Sequence, residues 1–174
     1  IIGGSRSYLQ PLTKGFEDKI HCNSDISSVE RLDDGVIVHF ADGSRQNFDH
    51  VIFACHSDQA LALLQSPSEK ETAILGAIEY RENDVVLHTD ETLLPKARRA
   101  WCSWNYHLRT LKQEKPTLTY HMNTLQNIQS PHNFCVSLNS QNLIDENKVL
   151  GRFNYSHPQF SVEACKAQGQ WSDI

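Results

Sequence analysis

The longest unbroken apolar run in this 174-residue chain is Val51-Ile52-Phe53-Ala54-Cys55, and it shows no alternation of apolar with polar residues. Five residues cannot cross a bilayer, which needs about 20. A short run that is apolar on both faces is what a strand covered on both sides looks like, so it predicts a place inside a larger sheet. The residues before it read as strands joined by tight turns. Ile26 to Leu32 and Val36 to Phe40 flank Asp33-Asp34-Gly35, and Ala41-Asp42-Gly43-Ser44 turns the chain toward Arg45 to Phe48. Each Asp-Gly step is expected to supply a positive φ, and the whole predicts a β-meander leading into the apolar strand.

Helical spacing brackets this β region. Tyr8, Leu9, Leu12 and Phe16 share a helical face over residues 5–16, with Pro11 as the weak point. Ser57 or Asp58 can cap a helix from Gln59 to Gln65. Ser66-Pro67-Ser68-Glu69 reads as a capping box with proline at the first helical position, and Gly76 is the expected stop. Beyond it, strands are expected at 78–88, 100–108, 117–122, 134–138 and 152–155, enough for one antiparallel sheet, with a helix at 161–168. The fold class is therefore α+β in two parts. Residues 1–76 carry the helix, meander and helical segment, and residues 77–174 carry the larger, mainly antiparallel sheet and a C-terminal helix.

Charge and composition exclude several functions. With 16 Lys+Arg against 21 Asp+Glu the net charge is -5, and apart from Lys96, Arg98 and Arg99 the basic residues are scattered. No nucleic-acid partner is expected. Five cysteines without a C-x-x-C suit neither a disulfide framework nor a zinc cage, which points to a reducing, cytoplasmic setting. Nine histidines include no H-x-x-x-H or H-E-x-x-H spacing, so no metal site is expected. No basic-then-apolar leader opens the chain, and no membrane span is expected. No G-x-S-x-G follows the opening Ile1-Ile2-Gly3-Gly4, which argues against a serine nucleophile.

The order Gly3-Gly4-Ser5, helix, Asp25-Ile26, meander and Phe48-Asp49-His50-Val51-Ile52-Phe53-Ala54-Cys55-His56 resembles the flavin-containing amine oxidase superfamily. The later segments Leu94 to Tyr106 and Leu118 to Gln126 resemble a bacterial subgroup of predicted NAD/FAD-binding proteins. The resemblance implies an FAD-dependent parent oxidoreductase that transfers a hydride from a small-molecule substrate to flavin. It implies that Ile26 offers its backbone to the adenine and that Ala54 and Cys55 lie against the cofactor. Trp104, Tyr106, Tyr120 and Asn123 would lie on the substrate-facing sheet, with no catalytic acid or base among them. Alternation sends Trp104 and Tyr106 to one face of that sheet and Asn105 to the other. Cys55 is expected to be buried and therefore unreactive.

Two family motifs are missing: G-x-G-x-x-G and the carboxy-terminal flavin motif. The chain thus reads as an internal piece whose partner is the rest of the parent chain, with its dinucleotide-binding fold. Such a piece is expected to be inactive alone and not to retain FAD. No lysine occurs between Lys70 and Lys96, where many amine oxidases place one, and Val85 or Val86 occupies that stretch. A carbon substrate is at least as consistent with this as an amine. The competing expectation is a cofactor-free module that encloses an apolar, acyl-like ligand.

Overall fold

The computed structural model describes residues 3–108 and 117–174, so Ile1 and Ile2 of the opening motif lie outside it. The architecture is α+β, with a three-stranded sheet, a five-stranded sheet and short helices. The chain divides into two compact units. One comprises residues 1–17 and 82–156, the other residues 18–81 and 157–174.

In the second unit, β1 (Ile26–Leu32), β2 (Gly35–Phe40) and β3 (Arg45–Phe48) form an antiparallel meander. The register sets Val29 opposite Val38 and Val36 opposite Phe48, which places the valines on one face. Val29, Val36 and Val38 are buried there with Phe40 and Phe53 packed against them. Each such side chain contributes roughly 1.5–3 kcal/mol on burial.

The two Asp-Gly turns use glycine for different reasons. Gly43 has the expected positive φ of 85°. Gly35 does not; a Cβ there would lie 2.7 Å from the Phe48 carbonyl oxygen, so close backbone approach is what requires glycine.

Both helix starts differ by a residue or two from their sequence signals. The helix α2 (Ser57–Leu63) is capped by His56, whose backbone N–H donates to the Gln59 side chain. The next helix, α3 (Glu69–Gly76), is capped by Ser68 rather than Ser66, in a reciprocal box with Glu71. That later register lets the Glu71 carboxylate also accept both guanidinium N–H groups of Arg31 on β1, at 2.6 and 2.9 Å. Gly76 ends the helix as expected. The C-terminal α5 (Val162–Gln168) is capped by Ser161 and buries Ala164 and Ala167.

The apolar run Val51–Cys55 belongs to neither sheet, and Ile52 is 91% exposed. The expected strand is absent because no strand of the described residues pairs with it. Phe53 packs on the meander core, while Val51, Ile52, Ala54 and Cys55 are left open.

In the first unit, a 3-10 turn (Ser5–Tyr8) leads into α1 (Leu9–Thr13). Starting the α-helix at Leu9 puts Pro11 in its first turn, where a missing N–H costs no intrahelical bond. The larger sheet has the order β5-β6-β7-β4-β8, from β4 (Tyr80–His88), β5 (Trp104–His107), β6 (Thr117–His121), β7 (Cys135–Leu138) and β8 (Val149–Pro158). Pairing from β5 through β6 and β7 to β4 is antiparallel. The strand β5 begins later than expected because Arg98–Ala100 forms a 3-10 turn, anchored by the Trp101 indole N–H donating to the Pro95 carbonyl at 2.7 Å. The strand β6 passes directly into α4 (Met122–Gln126).

Candidate functional site: an open aromatic sheet face

Register sorts the side chains of the larger sheet into two faces of opposite character. One row runs Trp104, Tyr120, Val136, Leu87, and the next Tyr106, Leu118, Leu138, Val85. The other face carries Asn105, Thr119, Ser137 and Val86 in one row, and His121, Cys135 and His88 in another. A solvated antiparallel sheet normally buries its apolar face. Here the polar side is the buried one: Asn105, Thr119, His121, Ser137 and His88 are all buried. The aromatic side is open, with Trp104 64% and Tyr106 61% exposed.

The buried polar face is stable because its groups satisfy one another. The Asp90 backbone N–H donates to His88 Nδ1 at 3.1 Å, so the ring carries its hydrogen on Nε2 and donates to Ser137 Oγ at 2.8 Å. Ser137 Oγ lies 2.7 Å from Thr119 Oγ1, and Thr119 Oγ1 lies 3.2 Å from His107 Nε2. Burial holds His88 below the ordinary imidazole value against the opposing pull of Asp90, which keeps the ring neutral. Burial also acts to raise Asp90, but the N–H groups of Asp145 and Thr92, with Lys148, hold it at about 2. Cys135 is the buried thiol, and burial pushes it up to about 11, which removes its nucleophilicity.

On the open face, Trp104 and Tyr120 meet edge to face with ring centroids 5.9 Å apart. Three of the four residues expected to face substrate therefore share one surface. Asn123 is placed differently, on α4 and not on a strand. Its amide donates to the Ile128 and His132 carbonyls and accepts from the Phe134 N–H, which ties down the loop into β7. Leu118, Val136, Leu138 and Leu87 complete the surface. Sequence reasoning did not single them out, although the alternation in Thr117-Leu118-Thr119-Tyr120 and Cys135-Val136-Ser137-Leu138 carries the signal.

The residues expected to hold cofactor lie in the other unit. Ile26, on the edge strand β1, is 46% exposed and lines a groove of about 950 Å³ with Val38, Phe40, Phe48, Val51 and Ile52. Cys55 lines a different, largely apolar cavity of about 650 Å³ with Val51, Phe53, Leu75, Tyr80 and Phe160. Ala54 and Cys55 are both exposed, so the expected burial of Cys55 is not found; its run lacks the covering strands that burial required. The structure thus does not gather Ile26, Ala54 and Cys55 into a single pocket. Ile26 offers an edge-strand backbone beside an apolar groove, and Ala54 and Cys55 are small side chains open to solvent. Among the described residues no cluster of His, Cys, Asp or Glu could hold a metal ion, and no helix is long and apolar enough to cross a membrane.

Similarity to known proteins bears on the family and the fold. No curated protein matches the sequence. Among solved structures, a CLA-producing fatty acid isomerase from P. acnes superposes with a TM-score of 0.62 at 13% identity, over 98% of this chain and 44% of that one. The chain thus spans less than half of that enzyme's length, and the likeness is one of fold. A protein described as an FAD containing monooxygenase from Photorhabdus luminescens subsp. laumondii TTO1 gives a TM-score of 0.38 at 20% identity, over 78% of this chain and 38% of that one. The family model for flavin containing amine oxidoreductases matches residues 2–125. By that match, the chain belongs to the flavin-containing amine oxidoreductase family.

Proposed function

We propose that this chain is the substrate-facing part of an FAD-dependent oxidoreductase, and that the open face of the larger sheet is one wall of its substrate chamber. FAD is the cofactor of the parent protein, as the family assigns. When bound, it supplies the two-electron acceptor for a hydride leaving a substrate C–H bond. The chain's own share is binding, orientation and exclusion of water. Trp104, Tyr106 and Tyr120 present rigid aromatic surface to the substrate, and Asn123 positions the turn beside them. Ile26 offers backbone to the adenine, and Ala54 and Cys55 leave room for the dinucleotide. No proton needs to be held or moved by these residues.

The observation that carries this reading is the inverted sheet. A fold gains nothing by leaving Trp104 and Tyr106 largely in water beside the half-buried Leu118, Tyr120 and Val136 unless something covers them. A cofactor-free module for an apolar ligand is the second reading, favoured by the 650 Å³ cavity in the other unit. Reconstituting the complete protein with FAD separates the two. A bound-flavin absorbance spectrum with a rise in unfolding temperature is expected, and the absence of both would leave only the second reading.

A further inference from the structure

We infer that the part of the substrate laid on this wall is an uncharged, extended hydrocarbon that crosses the strands from β5 to β8. This rests on the reading of the open sheet face as a substrate wall. The wall extends onto β8. On β4, alternation puts Glu82 and Asp84 on the polar face with His88, and Asn83 on the open face with Val85. The Asn154 amide on β8 donates to the Glu82 carboxylate at 3.1 Å. Arg152 pairs with Glu146, next to the Asp145 N–H that donates to Asp90 on the side where Asp90 meets the His88 ring. Asn154 and Arg152 therefore belong to the polar face. Phe153 and Tyr155, alternating with them, belong to the open one, where their rings stack with centroids 5.9 Å apart and planes within 4°.

Charge and shape both select the occupant. Among the described residues of 82–156, no Asp, Glu, Lys, Arg or His of the five strands shares the open face. Its polar groups are three tyrosine hydroxyls and the Asn83 amide, which is buried and accepts from the Asn139 amide. A carboxylate or an ammonium laid here would give up its water and gain no opposite charge.

The rows led by Trp104 and Tyr106 are about 7 Å apart, the two-residue repeat of a strand, so the furrow between them runs across the sheet. From β5 to β8 it crosses four strand spacings, about 19 Å. Its middle is aliphatic and half-buried at Leu118, Val136 and Leu87, while exposed rings stand at both ends, Trp104 at 64% and Phe153 at 47%. A hydrocarbon chain lying in the furrow touches both rows along its whole length and is covered by a ring at each end.

The test is equilibrium titration of the complete, FAD-loaded protein with hexanol, octanol, decanol, dodecanol and decylamine. A CH₂ group taken wholly out of water tightens binding about fourfold, so affinity should rise about two- to fourfold per added CH₂ along the alcohols. Decylamine should bind at least about tenfold more weakly than decanol. Dodecanol is long enough to approach both ends, so Trp104→Ala and Phe153→Ala, both exposed substitutions, should each weaken it about three- to tenfold. Hexanol is too short to reach both and should respond to one of them at most. Affinity that does not rise with chain length overturns the inference, as does decylamine binding as tightly as decanol, which would make the rings a cation site. Chain-length dependence that neither substitution changes places the hydrocarbon elsewhere and overturns it too. Should no probe bind, the oxidation rates of Trp104, Tyr106 and Tyr120 with and without FAD tell the two failures apart: protection by FAD leaves the wall standing without this inference, and its absence removes both.

Discussion

Replacing Glu71 with glutamine tests how the meander is tied to its helices. One carboxylate accepts two bonds from Arg31, at 2.6 and 2.9 Å, and one from the Ser68 N–H at 2.7 Å. Arg31, with contributions from the Ser68 cap, holds Glu71 at about 2 against the 4.5 of a free glutamate, although burial opposes this. A difference of that size corresponds to at most about 3.4 kcal/mol. The Arg31 side chain is 48% exposed, so solvent screens the pair and about 2 kcal/mol is the expected cost of Glu71→Gln. The sign of the pH dependence follows from the lowered value. Between about pH 2 and 4.5 the unfolded chain binds the proton that the folded chain refuses, so the wild-type advantage is complete above about pH 5 and is lost as pH falls toward 2. Urea unfolding of wild type and variant at pH 7 and pH 3 measures it, and more than half of the gap should be gone at pH 3. Equal stability at pH 7, or a gap that persists undiminished at pH 3, would refute the assignment.

Ser137→Ala strands the His88 Nε2–H in a fully buried row and leaves the Thr119 hydroxyl only its His107 contact, so it should cost about 2–3 kcal/mol and lower the unfolding temperature by several degrees. His88 itself should be a neutral Nε2–H tautomer at pH 7 in imidazole nitrogen NMR, and because its value is lowered, stability should decline as pH drops below about 6.5. Gly35→Ala forces a Cβ against the Phe48 carbonyl oxygen and should destabilise the meander by about 1–3 kcal/mol. Gly151→Ala is the control, since its Cβ meets only the Phe153 ring, at 3.0 Å, and should cost under about 1 kcal/mol.

Local chemistry made much of the fold legible. The meander strands appear where β-branched runs and Asp-Gly turns put them, and α3 stops at Gly76. Cap positions slipped where two serines competed, since the choice of Ser68 over Ser66 depends on Arg31, 40 residues away. Gly35 was read for the wrong reason, because the approach of Phe48 is a tertiary contact invisible in a turn motif. Val51–Cys55 illustrates the same limit: an apolar run announces that it wants cover, not that the described residues provide it. At the site, alternation correctly separated Trp104 and Tyr106 from Asn105, but not which face would be open. That depends on how residues 90–101 and 140–148 pack, with Trp101 edge-on to His121 and the Asp90 N–H on His88. A buried face of Thr119, Ser137 and His88 is acceptable only when every hydrogen bond is made, and pairing across four strands is not readable from any one of them.

Hydroxyl-radical footprinting of the complete protein, with and without FAD, measures directly whether the aromatic rows become the interior of a flavin-lined chamber. Loaded with FAD, the protein should protect Trp104, Tyr106 and Tyr120 well below the oxidation rates that their present exposure gives. Rates that stay as high in the loaded protein as exposure of these rings dictates would contradict the account.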